Sequence, residues 1–348
     1  MSATPDPTLV SAPAAPPLPD AAVPYVQPAG TGRGHLLLGQ VARAMLGAEQ
    51  SNGQLSFMTN CGPKGRPIPL HFHDREFEVF LCTRGRVQVW ADGESRVLSP
   101  GDVAIVPPGV VHAYQFHSHF SEFVGPITPG GWDRFFDLCG TPYEAPAFPP
   151  EDHSPPPFAK FAQAEQQYNM KYLPPDTPYA PPTWDAADDT LPGAMKPYFL
   201  RSGEGPRHLL GGQMVTTMIT SDESDGDLGM WTVQGTVGGE MPAHVHERTH
   251  EAIYVRNGTV RVTLDGESHL LAPGDCASIP AGCVHTYAFE SAVTRAIVMS
   301  SPGGLERLFA LAGEPYAHHV FPATPAAFPD AAAMEAAAAE LDVHFVDA

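Results

Sequence analysis

The sequence is poor in cysteine and has no closely spaced cysteine pair. Its 348 residues include five cysteines, at positions 61, 82, 139, 276 and 283, and no C-x-x-C motif. An odd number of scattered thiols argues against a disulfide scaffold and against a zinc ribbon. A reducing compartment is therefore expected, and the predicted location is cytoplasmic.

Long apolar runs and basic residues are also scarce. No stretch approaches the roughly 18 apolar residues of a membrane span, and the Pro- and Ala-rich start lacks the basic flank and apolar run of a signal peptide. With 39 acidic against 19 basic residues, the net charge is −20. Phosphate backbones and anionic membranes should be repelled by this charge. We therefore expect a soluble protein whose partner is a small molecule, with no nucleic acid and no membrane partner.

What the sequence does contain is a duplication. A shift of 173 residues aligns the chain with itself without a gap, from Pro24-Tyr25 on Pro197-Tyr198 to Pro142-Tyr143 on Pro315-Tyr316. Solenoid repeats are only about 20 to 50 residues long, so each copy should be a whole domain. The predicted organisation is a disordered segment at 1–23, one domain at 24–150, a Pro-rich linker at 151–192 and a second domain at 193–348.

Two short helices are predicted outside the repeated domain cores. In the linker, Phe161, Ala164, Tyr168 and Tyr172 recur at helical spacing, which indicates a helix packed on a barrel. Near the C-terminus, Asp330 precedes an Ala-rich run and is a suitable N-cap.

Inside each copy the pattern is that of antiparallel β structure. The stretches "GRVQVWADGESRVLSPGD" and "GTVRVTLDGESHLLAPGD" alternate apolar and polar residues, with turns at Asp92-Gly93 and Asp265-Gly266. Short strands with tight turns and no βαβ rhythm predict an all-β fold of barrels or sandwiches.

Two histidines on one strand begin the candidate metal site of the first copy. His71 and His73 are two residues apart, so on a strand their imidazoles share a face, an arrangement that suits a metal. Glu78 lies an odd number of positions after His73, so a bulge or bend must turn it inward. The fourth candidate is His112, where a new strand could return beside the first.

The second copy repeats this set at the same shift. Glu76, the rival of Glu78, falls on Thr249 and is therefore the weaker candidate. We predict one divalent transition metal per barrel, and the ligand types suit iron, manganese, cobalt, nickel or copper alike. The predicted ligands are His71, His73, Glu78 and His112 in the first copy and His244, His246, Glu251 and His285 in the second.

The spacing of these residues resembles both motifs of the cupin superfamily. His71-x-His73, Glu78 and Gly85 match the first motif, and the stretch from Gly101 to His112 matches the second. The resemblance implies two tandem cupin (jelly-roll) β-barrels with short flanking helices. Within the superfamily, the stretches "PYFLRSGEGPRHLLGGQ", "EVFLCTRGRVQVW" and "VGPITPGGWDRFFDLCGTPY" resemble the bicupin quercetin (flavonol) 2,3-dioxygenases.

That resemblance implies a metal-dependent dioxygenase that opens the heterocyclic ring of flavonols such as quercetin with O2. The products would be a depside and CO. Glu78 and Glu251 are expected to serve both as ligands and as the base that takes the flavonol 3-hydroxyl proton. By position, the family's substrate pocket corresponds to Tyr25, Phe57, Thr59, Phe80, Tyr114, Phe123 and Ile127 in the first barrel and to Tyr198, Met230, Thr232, Ile253, Tyr287, Ala296 and Ser300 in the second.

Several alternatives stay open at this point. The first lining is the more aromatic, which favours the first barrel as the flavonol site, although the second, with smaller side chains, could leave more room. Another bicupin metalloenzyme, such as an oxalate decarboxylase, should carry an arginine in its cavity for a doubly charged acid. A non-catalytic metal-bearing binding or regulatory protein would keep the same barrels. Monomer and homodimer are both compatible with fused barrels.

Overall fold

The computed structural model describes residues 17–145 and 155–346. In these residues each of the two repeats builds an eight-stranded sheet packed against a five-stranded sheet, and all pairings within the sheets are antiparallel. The predicted all-β, two-barrel jelly-roll fold is confirmed. No helix in the described ranges is long and apolar enough to cross a bilayer. All five cysteines are free thiols.

The elements of the first unit follow the predicted alternation of apolar and polar residues. In chain order they are β1 (Tyr25–Gln27), β2 (Arg33–Leu37), β3 (Gln40–Leu46), β4 (Ser56–Gly62), β5 (His71–His73), β6 (Phe77–Arg84), β7 (Val87–Ala91), β8 (Glu94–Leu98), β9 (Val103–Val106), β10 (His112–Phe116), β11 (Ser121–Thr128), α1 (Asp133–Cys139), β12 (Thr141–Pro142), α2 (Phe158–Gln167) and β13 (Met170–Tyr172).

The second unit follows a short 3-10 helix (Ala186–Asp189) and repeats this order of strands, with one additional short helix, α3. Its elements are β14 (Tyr198–Leu200), β15 (Arg207–Leu210), β16 (Gln213–Ile219), α3 (Ser221–Ser224), β17 (Gly229–Gly235), β18 (Glu240–Val245), β19 (His250–Asn257), β20 (Val260–Leu264), β21 (Glu267–Leu271), β22 (Cys276–Ile279), β23 (His285–Phe289), β24 (Thr294–Ser301), α4 (Arg307–Ala312), β25 (Glu314–Pro315), α5 (Ala331–Ala338) and β26 (His344–Phe345).

The sheets have the same strand order in both units. The eight-stranded sheets run β12-β2-β3-β4-β11-β6-β9-β14 and β25-β15-β16-β17-β24-β19-β22-β1, and the five-stranded sheets run β13-β5-β10-β7-β8 and β26-β18-β23-β20-β21. The predicted hairpin turn at Asp92-Gly93 has φ of 51° and 78°, the two left-handed residues that a type I′ turn requires. Asp265-Gly266 repeats it with φ of 46° and 85°.

The first strand of each unit lies in the sheet of the other unit. β1 pairs with β22, with Tyr25 opposite Ser278, and β14 pairs with β9, with Tyr198 opposite Ile105. The predicted ranges 24–150 and 193–348 therefore describe the order of the repeats along the chain but not the composition of each barrel in space. The reason is physical: both copies offer the same edge to the same strand pattern, so local sequence cannot select between them.

The two eight-stranded sheets share a buried core. One apolar cluster contains side chains from both units, and the Phe57 and Tyr254 rings lie edge to face with centroids 5.4 Å apart. The Tyr25 hydroxyl donates to the Met45 carbonyl at 2.8 Å, and the Tyr198 hydroxyl donates to Met218 at 2.7 Å. The units are thus joined by burial as well as by the exchanged strands.

The segment between the repeats is only partly a linker. The predicted helix is present as α2 with Phe161 and Ala164 buried, but it ends before Tyr172, which instead lies in β13 opposite His71. The second unit repeats this arrangement with α5, capped by Asp330 as predicted, and with β26 beside β18. A helix and strand after each barrel therefore cover the strand that carries the paired histidines.

The ends of the described ranges bear on the predicted disorder. Residues 1–16 of the predicted disordered segment and residues 151–154 of the predicted linker lie outside the described residues. Within the described part, Leu18 packs against the first unit, and the Pro19 carbonyl accepts a hydrogen bond from Gln50.

Candidate metal centres

The first centre is built from the two facing sheets of the first unit. β5 and β10 lie in register, with His71 opposite His112, and the nitrogens of His71, His73 and His112 lie within 4.8 Å of one another. The chain bends between β5 and β6, as predicted, so that Glu78 reaches the site from the other sheet. Its Oε2 lies 2.9 Å from His112 Nε2 and 3.8 Å from His73 Nε2.

The second centre repeats the geometry more tightly. His244 lies opposite His285, and donor atoms of all four predicted ligands fall within 4.8 Å of one another. Glu251 Oε2 is 3.3 Å from His246 Nε2, and its Oε1 is 3.6 Å from His285 Nε2. Both carboxylate oxygens of Glu251 are therefore turned toward imidazoles, whereas in Glu78 the same oxygen is nearest both histidines.

Buried atoms with no hydrogen-bond partner converge on both centres. Among the described residues, the unpartnered buried atoms include Nε2 of His73, His112, His246 and His285 and Oε2 of Glu78. A buried polar atom left unpaired costs about 1–3 kcal/mol, so three such atoms at the first centre and two at the second call for a ligand at each centre. These are nitrogen and oxygen donors, as a transition metal prefers.

The outward nitrogens of the histidines hold them in the right tautomer. Nδ1 of His71 and His112 face the carbonyls of Pro69 and Val110 at 2.8 and 2.9 Å. His244 faces the Pro242 carbonyl in the same way at 2.8 Å. An Nδ1–H that donates outward leaves the Nε2 lone pair free to bind a metal. Each barrel thus provides one divalent-metal site, as predicted.

Electrostatics favour neutral imidazoles at three of these positions. Burial holds the pKa of His71, His73 and His244 well below the usual range, which keeps their lone pairs available. In the second centre, burial lowers the pKa of His246, but the Glu251 carboxylate outweighs it and the pKa is raised overall. Burial raises the pKa of Glu251, but the neighbouring His246 and His285 imidazoles reverse this and the pKa is lowered.

The surroundings of the second histidine differ between the centres. His246 Nδ1 bonds to the Asp342 carbonyl, and the Asp342 carboxylate accepts the backbone N–H groups of residues 247, 248 and 249. In the first unit Asn169 stands where Asp342 stands in the second, and His73 Nδ1 has no hydrogen-bond partner. The Trp132 ring instead packs edge-on against His73, with centroids 4.0 Å apart.

A large cavity opens in front of the first centre. It has a volume of about 810 Å³ and is lined by His71 and Glu78 among the ligands. The rest of the lining is mostly apolar and aromatic, with Gln40, Asn60 and Tyr114 as polar members. Those other lining residues are Leu37, Leu38, Gln40, Ala42, Met58, Asn60, Ile68, Pro69, Val79, Phe80, Tyr114, Phe123, Gly125, Ile127, Trp132, Phe135, Phe136, Phe161, Met170 and Tyr172.

The cavity at the second centre is much smaller. Its volume is about 310 Å³, and it is lined by Trp231, Met241, His244, His246, Glu251, Tyr287, Val298, Leu305, Leu308, Phe309 and Val343. The expectation of more room in the second barrel is therefore wrong. Larger side chains fill the space, because Trp231 stands where the first barrel has Met58, and Val298 where it has Gly125.

Similarity to known proteins agrees with this arrangement. A family model described as "Cupin domain" matches residues 58–121 and again 231–300. A quercetin 2,3-dioxygenase of Bacillus subtilis is 30% identical over 310 residues, covering 89% of this chain and 92% of that protein. The chain belongs to the bicupin quercetin 2,3-dioxygenase family. A second such enzyme, from Aspergillus japonicus, is 28% identical over 73% of this chain and 81% of its own length.

Solved structures confirm the bicupin fold. An oxalate decarboxylase of Lactobacillus farciminis in a formate complex aligns with a TM-score of 0.53 over 81% of this chain and 89% of that one. The identity is 15%, so this likeness concerns the fold alone. The sequence relatives support a bicupin enzyme of the dioxygenase type.

Some of the residues carried over from the family line the first cavity of this bicupin, and others do not. Phe80, Tyr114, Phe123 and Ile127 line it. Of the second set, only Tyr287 lines the second cavity. The others lie in strands or cores away from the cavities: Tyr25, Phe57, Thr59, Tyr198, Met230, Thr232, Ile253, Ala296 and Ser300.

A one-residue offset explains part of this difference. In β4, Met58 and Asn60 line the cavity, while Phe57 points into the core shared by the units. Side chains alternate along a strand, so an offset of one position reverses the face. In β17 the same offset places Met230 in the shared core and Trp231 in the second cavity.

A group of aromatic residues beyond the barrel strands also lines the first cavity and was not predicted from the sequence. Trp132, Phe135 and Phe136 come from the start of the α1 region, Phe161 from α2 and Tyr172 from β13. The run "GGWDRFFDL" contains the first three, and its resemblance to the family does not place them in a cavity. The spacing of Phe161 and Tyr172 indicates helical periodicity and gives no sign of a cavity.

Proposed function

We propose that this bicupin is a metal-dependent dioxygenase that cleaves the heterocyclic ring of flavonols such as quercetin with O2, releasing a depside and CO. The observation that carries the proposal is the first cavity. It is large, mainly apolar and aromatic, and it opens onto His71 and Glu78. A flat polyphenol is the kind of ligand that such a lining accepts.

The ligands His71, His73, Glu78 and His112 would hold the metal at the inner end of this cavity. When bound, a divalent metal supplies a net positive charge and open positions for an anionic substrate oxygen. Binding there would orient the 3-hydroxyl group of the flavonol toward the ligand set, with the ring system extending into the aromatic part of the cavity.

Glu78 is the proposed base for the 3-hydroxyl proton. Its side chain lines the cavity and is 12% exposed, against 5% for Glu251. Its Oε2 is the oxygen nearest His112 and His73, which leaves Oε1 for the hydroxyl proton. Glu251 has both oxygens turned toward imidazoles, so we assign the base role in the first barrel to Glu78 and give Glu251 a ligand role.

The remaining lining would orient the substrate and exclude water. The Tyr114 hydroxyl donates to Gln40 Oε1 at 2.6 Å, and Asn60 adds a second amide to this wall. Burial raises the pKa of Tyr114, so its phenol stays protonated and cannot compete with the flavonol as the anion. An apolar enclosure also limits hydrolysis of reactive species during ring opening.

Cleavage of a small dicarboxylate is less well supported. A doubly charged acid needs a cationic side chain in the cavity. Among the described residues that line the two cavities, none is arginine or lysine. A non-catalytic binding protein would retain the same cavities, so this alternative is distinguished by turnover.

The deciding experiment is incubation of the metal-loaded protein with quercetin in air, with metal content determined by elemental analysis. We expect the flavonol absorption band to disappear with stoichiometric O2 uptake and CO release. Persistence of the band with iron, manganese, cobalt, nickel and copper would contradict the proposed reaction. Oxalate tested in parallel should give neither formate nor CO2.

A further inference from the structure

Four aromatic side chains form a continuous wall of the first cavity. Trp132 and Phe135 are stacked with centroids 4.7 Å apart and an interplanar angle of 5°. Phe161 continues the stack at 6.4 Å and 15°, and Tyr172 follows at 5.5 Å. We define Trp132, Phe135, Phe161 and Tyr172 as the aromatic wall, and all four line the cavity.

Both ends of the aromatic wall contact histidines of the metal centre. Trp132 packs against His73 with centroids 4.0 Å apart, and Tyr172 lies 5.9 Å from His71. A ring that lies along the wall is therefore directly beside two of the ligand imidazoles. This places the wall where it can set the angle at which a planar ligand approaches the metal.

The backbone before α1 holds Trp132 in place. A Cβ at Gly130 would lie 2.8 Å from the Leu55 carbonyl oxygen, and Gly131 has φ of 125°, so both positions require glycine. Directly after Trp132, the buried Asp133 carboxylate accepts the Ser56 hydroxyl at 2.6 Å and pairs with Arg33. These constraints on the neighbouring backbone fix the position of the Trp132 indole.

The second unit has the same pair of glycines and a buried acid before its helix, but it lacks the aromatic wall. Its glycines Gly303 and Gly304 and its buried acid Glu306 occupy the equivalent places, and Gly304 N–H donates to Glu306 at 2.7 Å. At the wall positions, however, the shift of 173 residues places aliphatic side chains in three of four cases. The four counterparts are Leu305, Leu308, Met334 and Phe345.

We propose that Trp132, stacked on Phe135, is a specificity-determining residue that binds the planar ring system of the substrate in the first barrel alone. The inference rests on the proposed function only for the identity of the ring as a flavonol. Stacking on an indole face selects flat conjugated rings over saturated or strongly charged ligands, because the ring quadrupole and the large apolar face both favour such a partner. The second barrel, which has leucine at this position and a smaller cavity, does not bind the ring system.

The test uses flavone, the ring system without hydroxyl groups, so that binding does not depend on the 3-hydroxyl or on turnover. Titration calorimetry on the metal-loaded protein should give one flavone per chain. Trp132→Leu, which copies the second barrel, should weaken binding at least about tenfold, because an aromatic contact adds to the lost buried area. Trp132→Phe should stay within about threefold, since it keeps the stack on Phe135.

Two controls separate ring binding from a structural effect. Leu305→Ala, at the equivalent place in the second barrel, should leave flavone binding unchanged. Metal content must remain at two per chain in Trp132→Leu, because Trp132 also contacts His73. Flavone should quench part of the indole emission of the parent protein, and Trp132→Phe should lose that part while it still binds.

The outcomes distinguish the two proposals. Equal flavone binding by Trp132→Leu and the parent protein would overturn this inference, as would failure of the parent to bind flavone or a loss caused by Leu305→Ala. If flavone binding depends on Trp132 but quercetin persists in air, the ring-binding role stands and the proposed reaction falls.

Discussion

The two metal centres of this bicupin have the same ligand types, yet the space in front of them differs by more than a factor of two in volume. The first faces a cavity of about 810 Å³ and the second one of about 310 Å³. Duplication has therefore preserved the donors while the walls diverged through a few substitutions, such as Met58 against Trp231. The same set of metal ligands therefore faces two cavities of different size and lining in this chain.

The glutamate ligands of the two centres also differ in how open their surroundings are. Glu78 lines an open cavity and uses one oxygen toward the histidines, whereas Glu251 turns both oxygens inward. The second centre is also braced by Asp342, which bonds to the loop between its histidines and glutamate. We infer a division of labour in which the first centre acts on substrate and the second mainly stabilises the fold.

The largest effect should come from removing one metal at a time. His112→Ala should reduce the metal content from two to one per chain and lower kcat/KM by at least about a thousandfold, since a metal contributes several kcal/mol to catalysis. His285→Ala should lose the other metal but keep activity within about tenfold. Elemental analysis with quercetin turnover in air checks both, and equal losses of activity would break the division of labour.

A second contrast concerns the two glutamates. Glu78→Gln should lower kcat by about 10²- to 10⁴-fold, the usual contribution of a general base. Glu251→Gln should have a much smaller effect, and the double variant should be no slower than Glu78→Gln alone. Initial rates are compared at equal metal content. Full activity in the double variant would remove the base role from Glu78.

Exchanging a residue between the cavities should change substrate affinity in one barrel only. Met58→Trp copies the second barrel and fills the first cavity, so the KM for quercetin should rise by about tenfold, with an overpacking cost of about 1–3 kcal/mol in stability. Trp231→Met makes the reverse change in the second barrel and should leave KM unchanged. A KM that responds to Trp231→Met instead would assign the substrate to the second cavity.

The smallest effects should reveal where the two units are alike. Tyr25→Phe and Tyr198→Phe each remove a hydroxyl that donates to a carbonyl, from Met45 and Met218 respectively. Each should lower the free energy of unfolding by about 1 kcal/mol. Thermal unfolding should show similar shifts and a single transition in both variants. Two separate transitions would argue against a shared core.

The metal sites were predictable from sequence because the whole set of residue types and spacings occurs twice. The spacings are identical in the set from His71 to His112 and in the set from His244 to His285, and the fold brings the histidines of each set together. The bend that brings Glu78 inward could also be inferred from its odd spacing after His73. Donor chemistry leaves few alternatives for such a set, which is why local sequence was sufficient.

The cavity walls were harder to predict, for two physical reasons. Neighbouring residues of β4, such as Phe57 and Met58, point to opposite faces of the sheet. The sequence alone does not show which face meets the cavity, so a residue-by-residue transfer can choose the wrong face. Trp132 and Tyr172 reach the cavity through tertiary packing of α1 and β13, and no local pattern relates those segments to β5. Pocket residues from outside the barrel depend on contacts that are remote in sequence.

The exchange of β1 and β14 has a consequence for dissecting this protein. A fragment ending after the first repeat would lack Tyr198–Leu200 and would leave one edge of β9 unpaired. Its own β1, left without β22, has the same place in the repeat as β14 and could fill that edge in the same fragment or in a second one. Half-length pieces should therefore come out of expression as monomers with a refolded first strand, as interlocked pairs or insoluble, and engineering one barrel in isolation would require controlling which β9 its first strand joins.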